Sequence, residues 1–163
     1  MKLFVNDAVP PARQNRGVIN SVVRHQIISC FIVAAVAGCA LSRTAPYDPQ
    51  IDAGITDLHM ETTAFLQNLE RRLGTPDARH GQYVEFYDHV RVVLASLRLR
   101  ADVWPENERT VEQIELLARS FAALEELHRD GIDDPTTLDT VRRQFDTAFQ
   151  AIMRLELAKR RGP

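Results

Sequence analysis

The stretch DPQIDAGITDLHMETTAFLQNLERRLG, residues 48–74, decides the fold. It opens on Asp48-Pro49, an N-cap acid followed by a proline at the first helical position, where a missing N–H costs nothing. Behind it Ile51, Ile55, Leu58, Thr62, Phe65 and Leu69 recur at spacings of 4, 3, 4, 3 and 4, which places them on one side of a helix. Gly74 closes the segment. A helix with one such stripe is stable only when the stripe is buried, so the rest of the chain must supply a matching face.

Three further segments supply it. Thr75-Pro76 starts a second helix in which Tyr83, Phe86, Val90, Val93 and Leu97 form the stripe and Tyr87, Leu94 and Ala101 widen it. Residues 102–109, with Trp104-Pro105 and several charges, read as a loop. Thr110-Val111-Glu112-Gln113 has the form of a capping box, which predicts a third helix opening at Thr110. Its stripe is Ile114, Leu117, Phe121, Leu124 and Leu127, ended by Gly131. Asp134-Pro135 begins the last helix, with Leu138, Val141, Phe145, Ala148, Ile152 and Leu155 inward and Lys159, Arg160 and Arg161 at its negative C-terminal end. The expectation is an all-α fold, an antiparallel four-helix bundle of up-down-up-down topology over residues 48–163, following a cleaved signal. Thr62 is the one polar interruption expected in the stripes. The heptad-like spacing also suits a helical oligomer, and the oligomeric state stays open.

Upstream lies a segment of another kind. The run from Ile27 to Ala37 carries no charge, follows Arg24 and His25, and gives out at Leu41 before Ser42 and Arg43. Roughly 17 to 25 apolar residues are needed to cross a hydrocarbon core, so the run is short for a span and has the order of an export signal. It ends in Val36-Ala37-Gly38-Cys39, an aliphatic residue, two small ones and a cysteine. These four residues resemble the lipobox of bacterial lipoproteins. The resemblance implies cleavage between Gly38 and Cys39, a diacylglycerol on the Cys39 thiol and an acylated amine. Residues 1–38 would then be the signal peptide and 39–47 an acylated tether, and the chains on Cys39 would anchor the domain to a membrane. Ala40 stands where Asp marks inner-membrane retention in enteric lipoproteins, which implies the outer membrane, facing the periplasm. An ordinary secretory signal cut nearby is the alternative. One departure is the long segment 1–21, with Pro10, Pro11, Arg13 and Arg16; it points to a start at Val18, Val22 or Val23.

Lys2, Arg13, Arg16 and Arg24 against Asp7 lie before the cleavage point. Of the chain's 20 basic and 22 acidic residues, 16 and 21 therefore remain, a net charge of −5. This argues against a nucleic-acid binder, whose footprint would be a basic face. Cys30 leaves with the signal and no cysteine follows Cys39, so packing rather than a disulfide must hold the domain.

Chemistry-bearing patterns are few. Glu125-Glu126-Leu127-His128 has the Glu-x-x-His spacing of bundle di-iron sites, but such a site needs a second copy and the chain has none. Glu125 and His128 are expected to be two solvated side chains. Glu85 and His89, one turn apart beside Asp88, form a second weak metal candidate, while His59 and His80 have no acidic partner at a telling spacing. Hydrolase, zinc-protease, phosphate-loop and dinucleotide signatures are missing, so neither an enzyme nor a cofactor is expected.

Trp104, the only tryptophan, follows Arg98 and Arg100, residue types enriched at interface hot spots, and the three form a candidate partner contact. The competing reading folds Trp104 back over the end of the core. Tyr47 rests either at the membrane interface or under the first helix. The functional expectation is a membrane-anchored envelope lipoprotein acting as a protein-binding or structural adaptor, with a carrier of a small ligand or metal ion within the bundle as the alternative.

Overall fold

The computed structural model describes residues 45–161, in which four α-helices are joined by short connections. The apolar run, Gly38, Cys39 and the candidate starts lie outside the described residues. The helices are α1 (Pro49–Arg71), α2 (Val84–Asp102), α3 (Glu108–Asp130) and α4 (Pro135–Arg160). Among the described residues none is long and apolar enough to cross a membrane.

Each helix packs on its sequence neighbours, and α4 closes the ring against α1. Cross-helix pairs fix the directions. Arg98 meets Glu115 and Arg91 meets Glu125 between α2 and α3, and His59 meets Asp146 while Glu70 meets Arg142 between α1 and α4. Residue numbers rise on one helix as they fall on the other, so the bundle is antiparallel. One end, entered by the chain at Ala45, gathers the start of α1, the α2–α3 loop and the end of α4. The opposite end gathers the α1–α2 and α3–α4 connections.

Both Asp-Pro starts form. Asp48 Oδ1 accepts the Gln50 N–H at 2.9 Å, and Asp134 Oδ1 accepts the Thr136 N–H at 3.0 Å. The α1 stripe is buried as spaced, with Leu66 added. Gly54 lets α1 approach α2 closely, because a Cβ there would stand 2.8 Å from Leu97 Cδ2.

Four expectations are corrected. Thr75-Pro76 does not start an α-helix; two 3₁₀ turns, Pro76–Ala78 and His80–Gln82, precede α2. The capping box at Thr110 does not form, because α3 begins at Glu108 and Thr110 is buried inside its first turn, bonded to Glu156 and Lys159. In α3 His128 takes the core position expected of Leu127, which is 37% exposed. In α4 Phe149 and Glu156 are fully buried where Ala148 and Leu155 were expected. Phe149 sets that register, since the larger ring gains more from burial than a methyl, and Glu156 follows two turns later on the same face. The stripes thus carry Thr110, His128 and Glu156 as well as Thr62.

Residues 45–47, expected within the tether 39–47, pack on the bundle. Ala45 is buried and donates its N–H to the Glu106 carbonyl at 3.3 Å. Tyr47 is half-buried, its hydroxyl donating to Asp52 at 2.7 Å and its ring lying 5.6 Å from the Arg160 guanidinium. It packs beside α1.

Candidate functional site

The three residues of the candidate partner contact separate. Arg98 points across the α2–α3 seam and pairs with Glu115 at 2.7 Å. Arg100 and Trp104 turn instead to the N-cap of α1: the Arg100 guanidinium meets Asp48 Oδ2 at 2.8 Å, and the indole N–H donates to the same oxygen at 3.4 Å. Burial alone would push the Asp48 carboxyl up, but hydrogen bonds from Arg100, the Gln50 N–H and Trp104 outweigh it and hold the group below its ordinary range. Trp104 is 41% exposed, its indole N–H edge tied to Asp48 at this end of the bundle.

Arg98 belongs to a groove of about 430 Å³ between α2 and α3. Tyr87, Val90, Leu94, Ile114 and Phe121 form its apolar floor, and Ala95, Ala118 and Ala122 its lips. Small side chains on facing helix surfaces leave this space where leucines would fill it. Two ion pairs, Arg91 with Glu125 and Arg98 with Glu115, bridge the helices along it. They stand seven residues apart on α2, about 10 Å at 1.5 Å per residue. Arg119, also on the groove wall, makes no ion pair among the described residues, so the rim carries one uncompensated positive charge.

Three of the four metal candidates, His89, Glu125 and His128, are held by other partners. Glu85 is exposed, and His89 pairs with Glu61 at 3.1 Å. Glu125 and His128, expected to be solvated, are not. Glu125 accepts from His80 at 3.2 Å, Arg91 at 2.5 Å and Arg129 at 3.1 Å. Burial raises its carboxyl, yet these donors and the Arg91 and Arg129 charges bring it below the ordinary range. His80, given no acidic partner by its spacing, finds one through the fold, as His59 does in Asp146 at 3.1 Å.

His128 is 2% exposed and uses both ring nitrogens. Its Nε2 lies 2.7 Å from the Ala78 carbonyl, which can only accept, so Nε2 carries the proton and Nδ1 accepts from the Tyr87 hydroxyl at 2.9 Å. Burial depresses the imidazole below its ordinary 6.5; the Ala78 bond opposes this and His80 adds to it. Burial likewise pushes the Tyr87 phenol far above its ordinary range. A metal at His128 would have to break one of two short hydrogen bonds. No group of three or more His, Cys, Asp or Glu side chains suited to an ion occurs among the described residues.

A second polar cluster closes the end where the chain enters. Lys159 Nζ donates to Asn107 Oδ1 at 2.5 Å, Thr110 Oγ1 at 2.8 Å and Glu156 Oε1 at 2.5 Å. Thr110 also donates to Glu156 at 3.0 Å, and Asn107 Nδ2 to the Ala101 carbonyl at 2.8 Å. The Lys159 side chain is 5% exposed and that of Glu156 0%. The cluster is walled off from solvent, so its chemistry is that of a latch joining α2, α3 and α4. Hydrophobic spacing does not find these residues. The available signal was that Lys159 is the one lysine after Cys39, placed three residues beyond a glutamate on the same helix.

The described residues thus form an all-α four-helix bundle with an open apolar groove between α2 and α3 and a buried polar latch. No protein-family model matches the chain, and no curated protein or solved structure matches it.

Proposed function

We propose that the chain is a lipid-anchored protein of the bacterial envelope without catalytic activity, a binding or structural adaptor held at the periplasmic face of the outer membrane. The observation that carries this reading is the order of basic flank, uncharged run and Val36-Ala37-Gly38-Cys39. The acidic bundle suits a protein partner better than a nucleic acid. The α2–α3 groove, with Arg98 and Arg119 on its wall, is the surface favoured for that partner. Mass spectrometry of the membrane-extracted protein tests the anchor: an N-terminal Cys39 carrying acyl mass is expected. A soluble, unmodified Cys39, or a Cys39→Ser form that fractionates with membranes as before, would overturn it.

The groove's apolar floor also favours a second reading, a carrier of a small apolar ligand lying along the α2–α3 seam. Metal carriage has less support, because His128 and Glu125 are held by other partners. Native mass spectrometry separates the two readings. A stoichiometric small molecule lost in Ala118→Trp supports the carrier, and a co-purified protein lost in Arg119→Glu supports the adaptor.

A further inference from the structure

The end of the bundle where the chain enters leaves apolar surface uncovered. Val103 is 72% exposed, Leu99 65% and Trp104 41%. Val103 keeps helical backbone angles at the α2 C-cap, φ −67° and ψ −29°, so Leu99 and Val103 lie one above the other on the same face. Trp104 follows with its N–H edge tied to Asp48. The loop is held in shape by two further features. Glu106 adopts a left-handed φ of 63°, and its carbonyl takes the N–H of Ala45. The chain therefore enters the domain two residues along from Trp104.

Covalent reach decides what can cover this patch. Ala45 and Cys39 are six positions apart, so a lipid-anchored Cys39 holds the loop within about 20 Å of its acyl chains at no more than roughly 3.5 Å per residue. The opposite end of α1 is a further 23 residues away, about 35 Å along the axis. Charge does not choose between the ends: Arg100, Arg109, Arg160 and Arg161 stand among Asp102, Glu106, Glu108 and Glu112 at the loop end, and Arg71, Arg72, Arg79 and Arg129 stand among the acids of the other, so covalent reach carries the choice. Indole rings favour the headgroup region, where one edge is wet and the rest apolar.

Resting on the lipoprotein reading, we propose that Leu99, Val103 and Trp104 are a foot that sinks into the phospholipid headgroup layer and stands the bundle upright on its membrane. The α2–α3 groove then runs away from the bilayer, open to the periplasm. Leu99 and Val103 act as aliphatic wedges and Trp104 as the interfacial anchor.

Trp104 is the chain's only tryptophan, so fluorescence excited at the red edge, where the three tyrosines do not absorb, reads this loop alone. The acylated protein is extracted from membranes and reconstituted into phosphatidylethanolamine–phosphatidylglycerol vesicles, plain or with brominated acyl chains. Emission is expected to shift to shorter wavelength, to be quenched by the bromines and to escape aqueous iodide. Leu99→Gln with Val103→Gln should reverse all three with little change in melting temperature, since both side chains are exposed and no charge is set at the negative end of α2. Acylated Cys39 with a Trp104 that bromine does not reach and iodide does overturns the foot and leaves the lipoprotein reading standing. A Cys39 without acyl mass overturns that reading and this proposal with it. A shift seen only after a second protein is added overturns the foot in favour of a protein contact.

Discussion

At the end where the chain enters, the helices meet around charges: Asp48 at the start of α1, Arg100 on α2, Asn107 and Thr110 at the start of α3, Glu156 and Lys159 on α4. At the opposite end they meet around rings. Phe65 stacks on Phe86 with centroids 4.1 Å apart and meets Tyr83 and Tyr87 edge-on, while His128 joins Tyr87 to the Ala78 carbonyl. Charges taken out of water are specific and unforgiving, because each needs its partner. Rings and one neutral imidazole tolerate partial loss, because most of their contribution is area. The charged end is the one that would bear the load of a membrane anchor, and it is the end built to hold one arrangement.

The sharpest way to break this comparison is at Glu156. Glu156→Ala strands the Lys159 ammonium at 5% exposure, and the expected cost is about 3–5 kcal/mol in urea unfolding. Glu156→Leu combined with Lys159→Met removes both charges and should recover most of that loss. A single variant near wild-type stability, with no recovery in the double, would show that Lys159 escapes to solvent and that no latch exists.

Tyr87→Phe probes the ring end more gently. It keeps the ring contacts and removes the hydroxyl that His128 Nδ1 accepts from, so about 1–3 kcal/mol should be lost. Wild-type stability in this variant would mean that the hydroxyl adds nothing to the aromatic packing.

The buried imidazole and the two carboxylates should also separate on acidification. The folded state depresses His128, so the unfolded chain binds its proton more readily and stability falls as the pH drops below about 6.5. The carboxyls of Asp48 and Glu125 are depressed from 3.8 and 4.5, so their contributions persist to lower pH and fade as it falls through those values. His128→Phe should therefore flatten the stability profile just below pH 6.5 and leave the steeper loss below pH 4.5 in place. An unchanged slope near pH 6 would assign that titration to another histidine.

The four helices were legible because apolar spacing reports which side of a helix is buried, and three of the four stripes begin correctly. The two polar ends were not, for a common reason. At α3 and α4 two neighbouring positions competed for the core, and the more apolar one was favoured: Leu127 over His128, Leu155 over Glu156. Hydropathy at a single position ignores partners on other helices, and here Tyr87, Ala78, Thr110 and Lys159 make burial of the polar choice affordable. Thr110 illustrates the same blindness. As a capping hydroxyl it serves its own helix, but its real partner is 46 residues away. Of the candidate contact residues, the loop position of Trp104 was legible, whereas its tie to Asp48 and the separation of Arg98 from Arg100 depend on how α1 meets α2.

The smallest expected effect isolates tertiary from local chemistry most cleanly. Asp48-Pro49 and Asp134-Pro135 are the same cap written twice, each accepting the N–H two residues on. Asp134 is exposed and answers only to its own helix, with backbone and side-chain hydrogen bonds from Thr136 and Thr137 holding its carboxyl below the ordinary range. Asp48 is 4% exposed and also holds Arg100 and Trp104 from α2. If the entry end is a latch, Asp48→Ala should lower the unfolding midpoint about twice as far as Asp134→Ala, because one loses a cap and the other a cap plus charge-assisted bonds. Arg100→Ala should remove most of the difference. Equal losses from the two aspartates would mean that the bonds to Arg100 and Trp104 only decorate an ordinary cap, and the charged end would then rest on Glu156 and Lys159 alone.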